Sequence, residues 1–189
     1  FGHLGEETLD QVYSEGFTHS AQSLRIVEKL SREGQGLNLT WEVRQGIISH
    51  SKPRGDFLDV KLDESLTLEA QILRLADSVA YLNHDIADAI RAGMLKVDDL
   101  PEKANRTLGA THSQRLDSLV TGIVQESWPA SGLADGAIDG KPVIGMDSVL
   151  SKQLLTVNAV QRYVRHQRIA SIAGLPGLDV EAVEYIARE

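Results

Sequence analysis

The stretch LADSVAYLNHDIADAI, residues 75–90, indicates the fold class because it predicts a helix with two chemically different faces. At about 100° per residue, apolar residues fall on one side of this helix and ionisable residues on the other. The apolar side carries Leu75, Val79, Leu82, Ile86 and Ile90, and the ionisable side carries Asp77, Tyr81, His84, Asp85 and Asp88. Such a helix packs its apolar side against other helices, which predicts a helical core.

The ionisable side of this helix allows two interpretations. The simpler one is the solvated acidic face of an amphipathic helix. However, the stripe contains no Lys, and Arg74 is its only cation. Like charges at this spacing repel each other unless a cation or a polar ligand lies among them. Carboxylate oxygens suit hard cations, and imidazole suits zinc, iron or nickel. These details count against a solvated face, and on the residues alone both interpretations stay open, a wet acidic face or a stripe that faces a ligand.

The rest of the chain is also predicted to be helical, with no convincing strand, so the fold class is all-α. Thr18 is a candidate N-cap, Gly93 ends the long helix, and Pro101 lies near the start of another. We expect Trp41 and Ile48 in the core. Helices are predicted over residues 18–33, 37–51, 65–92 (the longest), 104–127 and 148–168, followed by a turn at 175–179 and a last helix. Residues 52–63 are predicted to form a loop, and 129–147 a loop or insertion.

Composition and charge limit the function classes. The 189 residues suffice for one domain with a sizeable core. A net charge of −8 does not favour a general nucleic-acid-binding surface. The chain has no cysteine, which excludes disulfides and thiolate metal sites and leaves His and carboxylates as the strong ligands. No apolar run approaches the roughly 18 residues of a membrane span.

A second cluster of ionisable residues lies at the beginning of the sequence. In FGHLGEE, His3 and Glu6 are three residues apart, so they share a face if this segment is helical. His19 opens the next predicted helix. A His–Glu pair can act as a base with an orienting carboxylate, or as an acid set by burial. The alternative is a surface His beside a Glu that is there by chance.

Four segments in this order resemble the bacterial deoxyguanosine triphosphate triphosphohydrolase-like proteins, which are HD-domain phosphohydrolases. The segments are FGHLGEETL, FTHSAQSLRIVEKL, GLNLTWEVRQGI and LEAQILRLADSVAYLNHDIADAIRAG. The resemblance implies an all-α HD-domain fold, with a multi-helix core around a metal and nucleotide site. It predicts a single domain over 1–189, with 1–125 as the family-like core, 129–147 as a loop or insertion, and 148–189 as C-terminal helices.

The resemblance also implies roles for residues of the long helix. The metal ligands of the family are an early His, an adjacent His-Asp pair and a later Asp, and the later Asp matches Asp77. Tyr81 and Asp85 complete the family's Asp-x-x-x-Tyr-x-x-x-Asp pattern, whose last two members contact the deoxyribose. Steps of four residues climb a helix by about 6 Å, so the metal and the sugar would lie at different levels. Arg115 matches loosely a phosphate-binding cation, and a solvated helix Arg is the alternative.

The N-terminal cluster acquires catalytic roles by the same resemblance. His3 and Glu6 match the end of the family motif His-Asp-x-Gly-His-x-Pro-Phe-Gly-His-x-Gly-Glu, and His19 matches a further active-site His. His3 or His19 would stabilise charge at the α-phosphate or protonate the leaving oxygen, while Glu6 would orient or deprotonate a partner. His50, His84 and His112 remain unassigned, although His84 lies near enough to the acidic stripe to support its ligands.

One departure from the family pattern concerns the metal. The early His and the His-Asp pair would lie upstream of Phe1, so we expect a domain truncated at its N-terminus. A polypeptide that began at Phe1 would keep one of the four protein ligands. One carboxylate is far short of a chelating site, so such a fragment is expected to be inactive.

The resemblance therefore implies metal-dependent hydrolysis of a deoxynucleoside triphosphate to the deoxynucleoside and inorganic triphosphate. The divalent metal would be Mn, Mg, Fe, Ni or Zn. We expect a cytoplasmic homo-oligomer, with a hexamer as one form, no membrane partner, and nucleic acid as a less favoured partner. One alternative is a non-catalytic regulatory oligomer that binds deoxynucleoside triphosphates or single-stranded nucleic acid. Another is an HD phosphohydrolase that acts on a different nucleotide.

Overall fold

The computed structural model describes residues 2–51, 65–133 and 142–173. Within these ranges the chain forms seven α-helices and no β-strand, so the all-α prediction is confirmed. The helices are α1 (Gly2–Val12), α2 (His19–Arg25), α3 (Trp41–Ser49), α4 (Leu68–Arg91), α5 (Glu102–Leu108), α6 (His112–Ser127) and α7 (Ser148–Ala173). The predicted loop at 52–63, the middle of 129–147 and the predicted elements after 174 lie outside the described residues.

The chain divides into two compact units whose boundary in the described residues falls inside α4, between Asp77 and Ser78. Unit 1 contains the described residues 2–51 and 65–77, and unit 2 contains 78–133 and 142–173. Whether they form the single predicted domain stays a prediction. None of the helices in the described ranges is both long and apolar enough to cross a membrane.

In unit 1 the second helix begins where the sequence predicts it. The side chain of Thr18 accepts a hydrogen bond from the backbone N–H of Ala21 at 3.3 Å, which caps α2. The predicted helix over 18–33 is not regular throughout, because α2 continues into a π-helical turn, Ile26–Leu30. The hydroxyl of Ser31 donates to the carbonyl of Ile26 and competes with the backbone for this acceptor. The turn therefore ends at Ser31.

Helices α3 and α4 approach closely in unit 1 because α3 has a glycine at the contact. A Cβ atom on Gly46 would lie 3.5 Å from the backbone of Ala70, and both residues are buried. Arg74 of α4 donates from Nε to the carbonyl oxygen of Ser49 at 2.8 Å, which satisfies an acceptor at the end of α3. The packing runs through Gly46, so Trp41 at the start of α3 is 59% exposed and its predicted core position is wrong. Ile48 is half-buried.

Unit 2 contains most of the hydrophobic core. The apolar face of α4 is buried as predicted from Val79 to Ile86, where Leu82 and Ile86 are almost completely excluded from water, whereas Ile90 is half-buried. Helix α5 packs against α6 and α7. The buried apolar residues include Val79, Leu82, Ile86, Leu108, Leu119, Leu154 and Val157. Among the described residues the longest helix is α7 with 26 residues rather than α4 with 24, so the prediction that α4 is the longest is wrong.

The segment predicted as one helix over 104–127 is two helices. Gly109 adopts φ +105°, and a Cβ there would lie 2.4 Å from Cβ of Gln114, so the chain can turn sharply only with a glycine. Thr111 and Gln114 then form a reciprocal capping box, with hydrogen bonds of 3.1 and 3.2 Å, that starts α6. Gly93, with φ +67°, follows the end of α4 as predicted.

Two isoleucines of α4 should contribute very differently to the free energy of unfolding, because one lies in the core of unit 2 and the other is exposed. Ile86 is 0% exposed and Ile72 is 50% exposed. Ile86→Ala should lower the free energy of unfolding by about 2–5 kcal/mol, because it removes buried methyl groups and leaves a cavity. Ile72→Ala is the matched control and should change it by less than about 0.5 kcal/mol. Urea unfolding of the two variants measures both values. Equal shifts of the two midpoints would contradict this assignment of the core.

Candidate functional site

The contact between Glu6 and His19 brings together two of the predicted catalytic residues in unit 1. Oε1 of Glu6 accepts the backbone N–H of His19 at 2.8 Å. Nδ1 of the His19 ring lies 2.9 Å from Oε1 and 3.0 Å from Oε2 of the same carboxylate. Because a carboxylate only accepts hydrogen bonds, Nδ1 carries a proton, and Nε2 is the nitrogen left for other chemistry. Both side chains are partly exposed.

His50, for which the sequence predicts no role, completes this cluster. Nε2 of His50 lies 3.2 Å from Nε2 of His19, and the two rings meet edge to face at 73°. Nδ1 of His50 lies 2.7 Å from the carbonyl oxygen of Ile47. Packing of α2 against α3 brings the two histidines together across 31 positions of sequence. No local spacing could have indicated this contact.

His3 lies in α1, one helical turn before Glu6, so the helical segment on which the His3–Glu6 pairing depended is present. The side chain of His3 lies outside the described part of the structure.

A second carboxylate of α1, that of Asp10, binds the backbone after the helix. Oδ1 of Asp10 accepts the N–H of Phe17 at 2.7 Å and so stabilises the connection between α1 and α2.

Asp77, the predicted metal ligand, is exposed in unit 1. Within the described residues its carboxylate makes no hydrogen bond or ion pair. Over the same part of the chain, no group of three or more His, Cys, Asp or Glu residues is arranged to hold a metal ion. A single carboxylate does not make a chelating site, so the described residues by themselves do not fit a metal.

Tyr81 and Asp85, the predicted sugar-binding residues, lie in the part of α4 that belongs to unit 2. Tyr81 is 47% exposed and Asp85 is half-buried. Oδ2 of Asp85 lies 3.5 Å from Nε2 of Gln161, a residue of α7 that is 3% exposed. The predicted stripe is thus on the accessible side of the helix, and the expectation that it is shielded from water fails at Tyr81 and Asp77. Accessible side chains can still be reached by a ligand.

Arg115, the predicted phosphate-binding residue, is only 3% exposed, so the alternative of a solvated helix arginine is wrong. Its Nε donates to Oδ1 of Asn83 at 3.2 Å. Its Nη1 donates to the carbonyl oxygens of Ala110 at 2.9 Å and Gly109 at 3.5 Å. Burial removes water from the guanidinium and lowers the pKa of Arg115 below its ordinary value. These contacts have a structural purpose, and a phosphate contact stays a prediction.

The contacts of Arg115 predict that lysine cannot replace it. A lysine ammonium is a point charge and does not reproduce a fork that reaches Asn83 and the Gly109–Ala110 carbonyls together. Arg115→Lys should therefore lower the free energy of unfolding by about 1–3 kcal/mol, the usual penalty for an unpaired buried polar group. The control is Arg106→Lys, because Arg106 is 72% exposed and pairs with Glu102 at 3.3 Å. That change should be nearly neutral in urea unfolding, and equal losses would argue against the structural role.

His84 and His112 form a second histidine pair, in unit 2. Their rings stack with centroids 6.0 Å apart and planes 3° from parallel. His84 is exposed and His112 is half-buried. His84 thus has a histidine partner. That it supports the ligands of the acidic stripe stays a prediction.

The chain was compared with family models and with curated proteins. No family model matches it, but several curated proteins of one name do. It is 42% identical over 149 residues to the deoxyguanosinetriphosphate triphosphohydrolase-like protein of Caldanaerobacter subterraneus subsp. tengcongensis, a match that covers 77% of the chain and 37% of that protein. The proteins of the same name from Clostridium perfringens strain 13 and Desulfatibacillum aliphaticivorans are 48% and 41% identical, over 64% and 79% of the chain.

Each match covers most of this chain but less than half of the relative. The chain spans between 34% and 42% of the length of the three curated relatives that it matches. The relatives bear the name of a triphosphohydrolase, which is a class of hydrolase. The chain belongs to the family of deoxyguanosinetriphosphate triphosphohydrolase-like proteins and corresponds to a partial region of them.

Proposed function

We propose that the full-length protein containing this chain hydrolyses a deoxynucleoside triphosphate to a deoxynucleoside and inorganic triphosphate. The observation that carries the proposal is the Glu6–His19 contact, in which two oxygens of one carboxylate hold one histidine ring. A histidine fixed in one orientation and one tautomer is the arrangement that general acid–base catalysis requires. The names of the relatives, which are those of a triphosphohydrolase, support this kind of reaction.

In this reaction a water molecule attacks the α-phosphorus, and the bond from phosphorus to the 5′ oxygen of the sugar breaks. The leaving 5′ oxygen must gain a proton, and the negative charge on the phosphate must be stabilised as the bond breaks. His19 can do either through Nε2, since Nδ1 is held by Glu6. His3 would act beside it. Glu6 keeps the imidazole oriented and stabilises its positive charge, which typically contributes to an acceleration of about 10²–10⁴-fold.

Tyr81 and Asp85 would bind the deoxyribose of a deoxynucleoside triphosphate. The Tyr81 ring is accessible and would pack against the deoxyribose, leaving little room for a 2′-hydroxyl. The half-buried carboxylate of Asp85 can accept a hydrogen bond from the 3′-hydroxyl. Arg115 would contact phosphate only if it exchanged its present partners for the substrate.

The proposal includes a divalent metal, homo-oligomers and a cytoplasmic location. Asp77 would contribute one ligand, and the rest of the full-length protein would contribute the others. A metal held there would act as a Lewis acid towards the phosphate and would make a bound water easier to deprotonate. The candidate ions are Mn, Mg, Fe, Ni and Zn.

Product analysis tests the proposed function. The full-length protein is mixed with each of the four deoxynucleoside triphosphates and with manganese or magnesium, and the products are separated by chromatography. Inorganic triphosphate together with the deoxynucleoside is the expected result. Release of pyrophosphate or of single phosphate would refute the reaction and favour a phosphohydrolase of another kind. Tight binding without any product would favour a regulatory binding protein.

A further inference from the structure

The strongest unassigned feature is the hydrogen-bond chain from Glu6 through His19 to His50. The Nδ1 atom of each histidine in the pair lies next to an oxygen that accepts hydrogen bonds. Nδ1 of His19 meets the Glu6 carboxylate at 2.9 Å, and Nδ1 of His50 meets the Ile47 carbonyl at 2.7 Å. A carbonyl oxygen and a carboxylate cannot donate, so both Nδ1 atoms carry protons.

The two Nε2 atoms then face each other at 3.2 Å. If both histidines were neutral, each Nε2 would present a lone pair, and two lone pairs at this distance repel. The contact becomes a hydrogen bond when one additional proton lies between them. The pair then holds three protons on four nitrogens and carries one positive charge, which the carboxylate of Glu6 balances directly.

Among the described residues, helices α1 and α4 bring charged side chains towards the Glu6–His19–His50 hydrogen bonds. Glu6 reaches it from α1, and the guanidinium of Arg74 reaches from α4 to the carbonyl of Ser49, one residue before His50. His50 is the C-cap residue of α3, and cations are favoured at the C-terminal end of a helix. A proton shared by the pair is thus supported by Glu6 on one side and by the end of α3 on the other, and it is opposed by the positive charge of Arg74.

We propose that His50 is a positioning residue that shares one proton with His19 and so holds the His19 ring with a proton at Nε2. His50 does this from a fixed place, because its own Nδ1 is anchored on the Ile47 carbonyl. A phosphate oxygen that approaches Nε2 of His19 would replace His50 as the acceptor of that proton. The catalytic consequence rests on the proposed function, whereas the shared proton does not.

Nitrogen NMR of the histidine side chains tests the shared proton without any substrate. The full-length protein is labelled with ¹⁵N-histidine, and the rings are compared with those of His50→Phe and His50→Gln. In the unaltered protein, the ¹⁵N chemical shifts of Nε2 in His19 and His50 should lie between the values of a protonated and an unprotonated imidazole nitrogen. His50→Phe keeps an aromatic ring but removes the acceptor, so His19 should become neutral with a bare Nε2. His50→Gln restores a hydrogen-bond partner and should keep a protonated Nε2 in part.

His112→Phe is the matched control, because it removes one member of the other histidine pair. It should leave the His19 signals unchanged. Two bare Nε2 signals in the unaltered protein, or unchanged His19 signals in His50→Phe, would overturn the proposal. If the shared proton is present but no nucleotide is hydrolysed, the proposed function fails and the proton sharing stands.

Kinetics test the positioning role where the protein is active. His50→Phe should reduce kcat by roughly 10–100-fold with little change in KM, the size of effect seen when a residue that orients a metal-binding histidine is removed. His50→Gln should recover part of this loss, because it restores a partner for Nε2. Full activity in His50→Phe would overturn the positioning role.

Discussion

Glu6→Gln in the full-length protein is expected to reduce kcat by about 10²–10⁴-fold while the fold remains intact. The carboxylate of Glu6 accepts both the backbone N–H and the ring Nδ1 of His19. A glutamine keeps the size of the side chain but presents one oxygen and no charge, so it cannot stabilise a protonated imidazole in the same way. Loss of an oriented acid–base group accounts for this range of effect. Steady-state kinetics with the preferred deoxynucleoside triphosphate would measure it.

Asp10→Asn is the matched control for this change. Asp10 lies four residues further along α1 and also accepts a backbone N–H, that of Phe17. The two substitutions remove the same charge from the same helix, and only Glu6 holds a histidine ring. Asp10→Asn should therefore keep kcat close to that of the unaltered protein. If the two variants lost activity equally, Glu6 would be acting on the backbone connection rather than on His19.

Asp77→Ala is expected to abolish metal-dependent hydrolysis, with a loss greater than about 100-fold. Residues that merely support a metal ligand account for roughly 10–100-fold, so a ligand should account for more. The exposed Asp77 carboxylate has no hydrogen bond or ion pair in the described residues, so its removal should cost little stability. A direct readout is the affinity of the full-length protein for manganese, measured by calorimetry without nucleotide. The variant should bind the ion much more weakly.

The control on the same helix is Asp88→Ala. Asp88 is 68% exposed and pairs with Arg91 at 2.5 Å, and an exposed ion pair of this kind contributes little to stability. Activity and manganese affinity should both survive this change. An Asp77→Ala protein that kept full activity and full manganese affinity would contradict the metal role of Asp77.

Local chemistry made several features of the fold predictable. The hydroxyl of Thr18 caps α2, Gly93 ends α4 with a positive φ, and Pro101 precedes α5. Each depends on a single residue and its immediate neighbours. The apolar face of α4 was predictable because helical periodicity alone determines which residues share a side.

Other features depended on packing between helices and could not be read from spacing. Trp41 is exposed because α3 packs through Gly46, and a sequence does not show which side of a short helix will be covered. The break between α5 and α6 is different, because a local pattern marks it: the Thr-x-x-Gln capping box at Thr111–Gln114 starts a new helix.

The candidate site was predictable only in part. The family resemblance named Glu6 and His19, and their contact lies in the structure. The contact of His50 with His19 had no local signal, because it depends on how α2 packs against α3. Burial of Arg115 was not expected either, since its partners include Asn83 from another helix.

The most direct test of the account is hydrolysis of a deoxynucleoside triphosphate by the full-length protein in water enriched in ¹⁸O. Attack of water on the α-phosphorus predicts that the released inorganic triphosphate carries one ¹⁸O atom and that the deoxynucleoside carries none, which mass spectrometry can read directly. Label in the 5′-hydroxyl of the deoxynucleoside, or label in pyrophosphate or single phosphate instead of triphosphate, would contradict it.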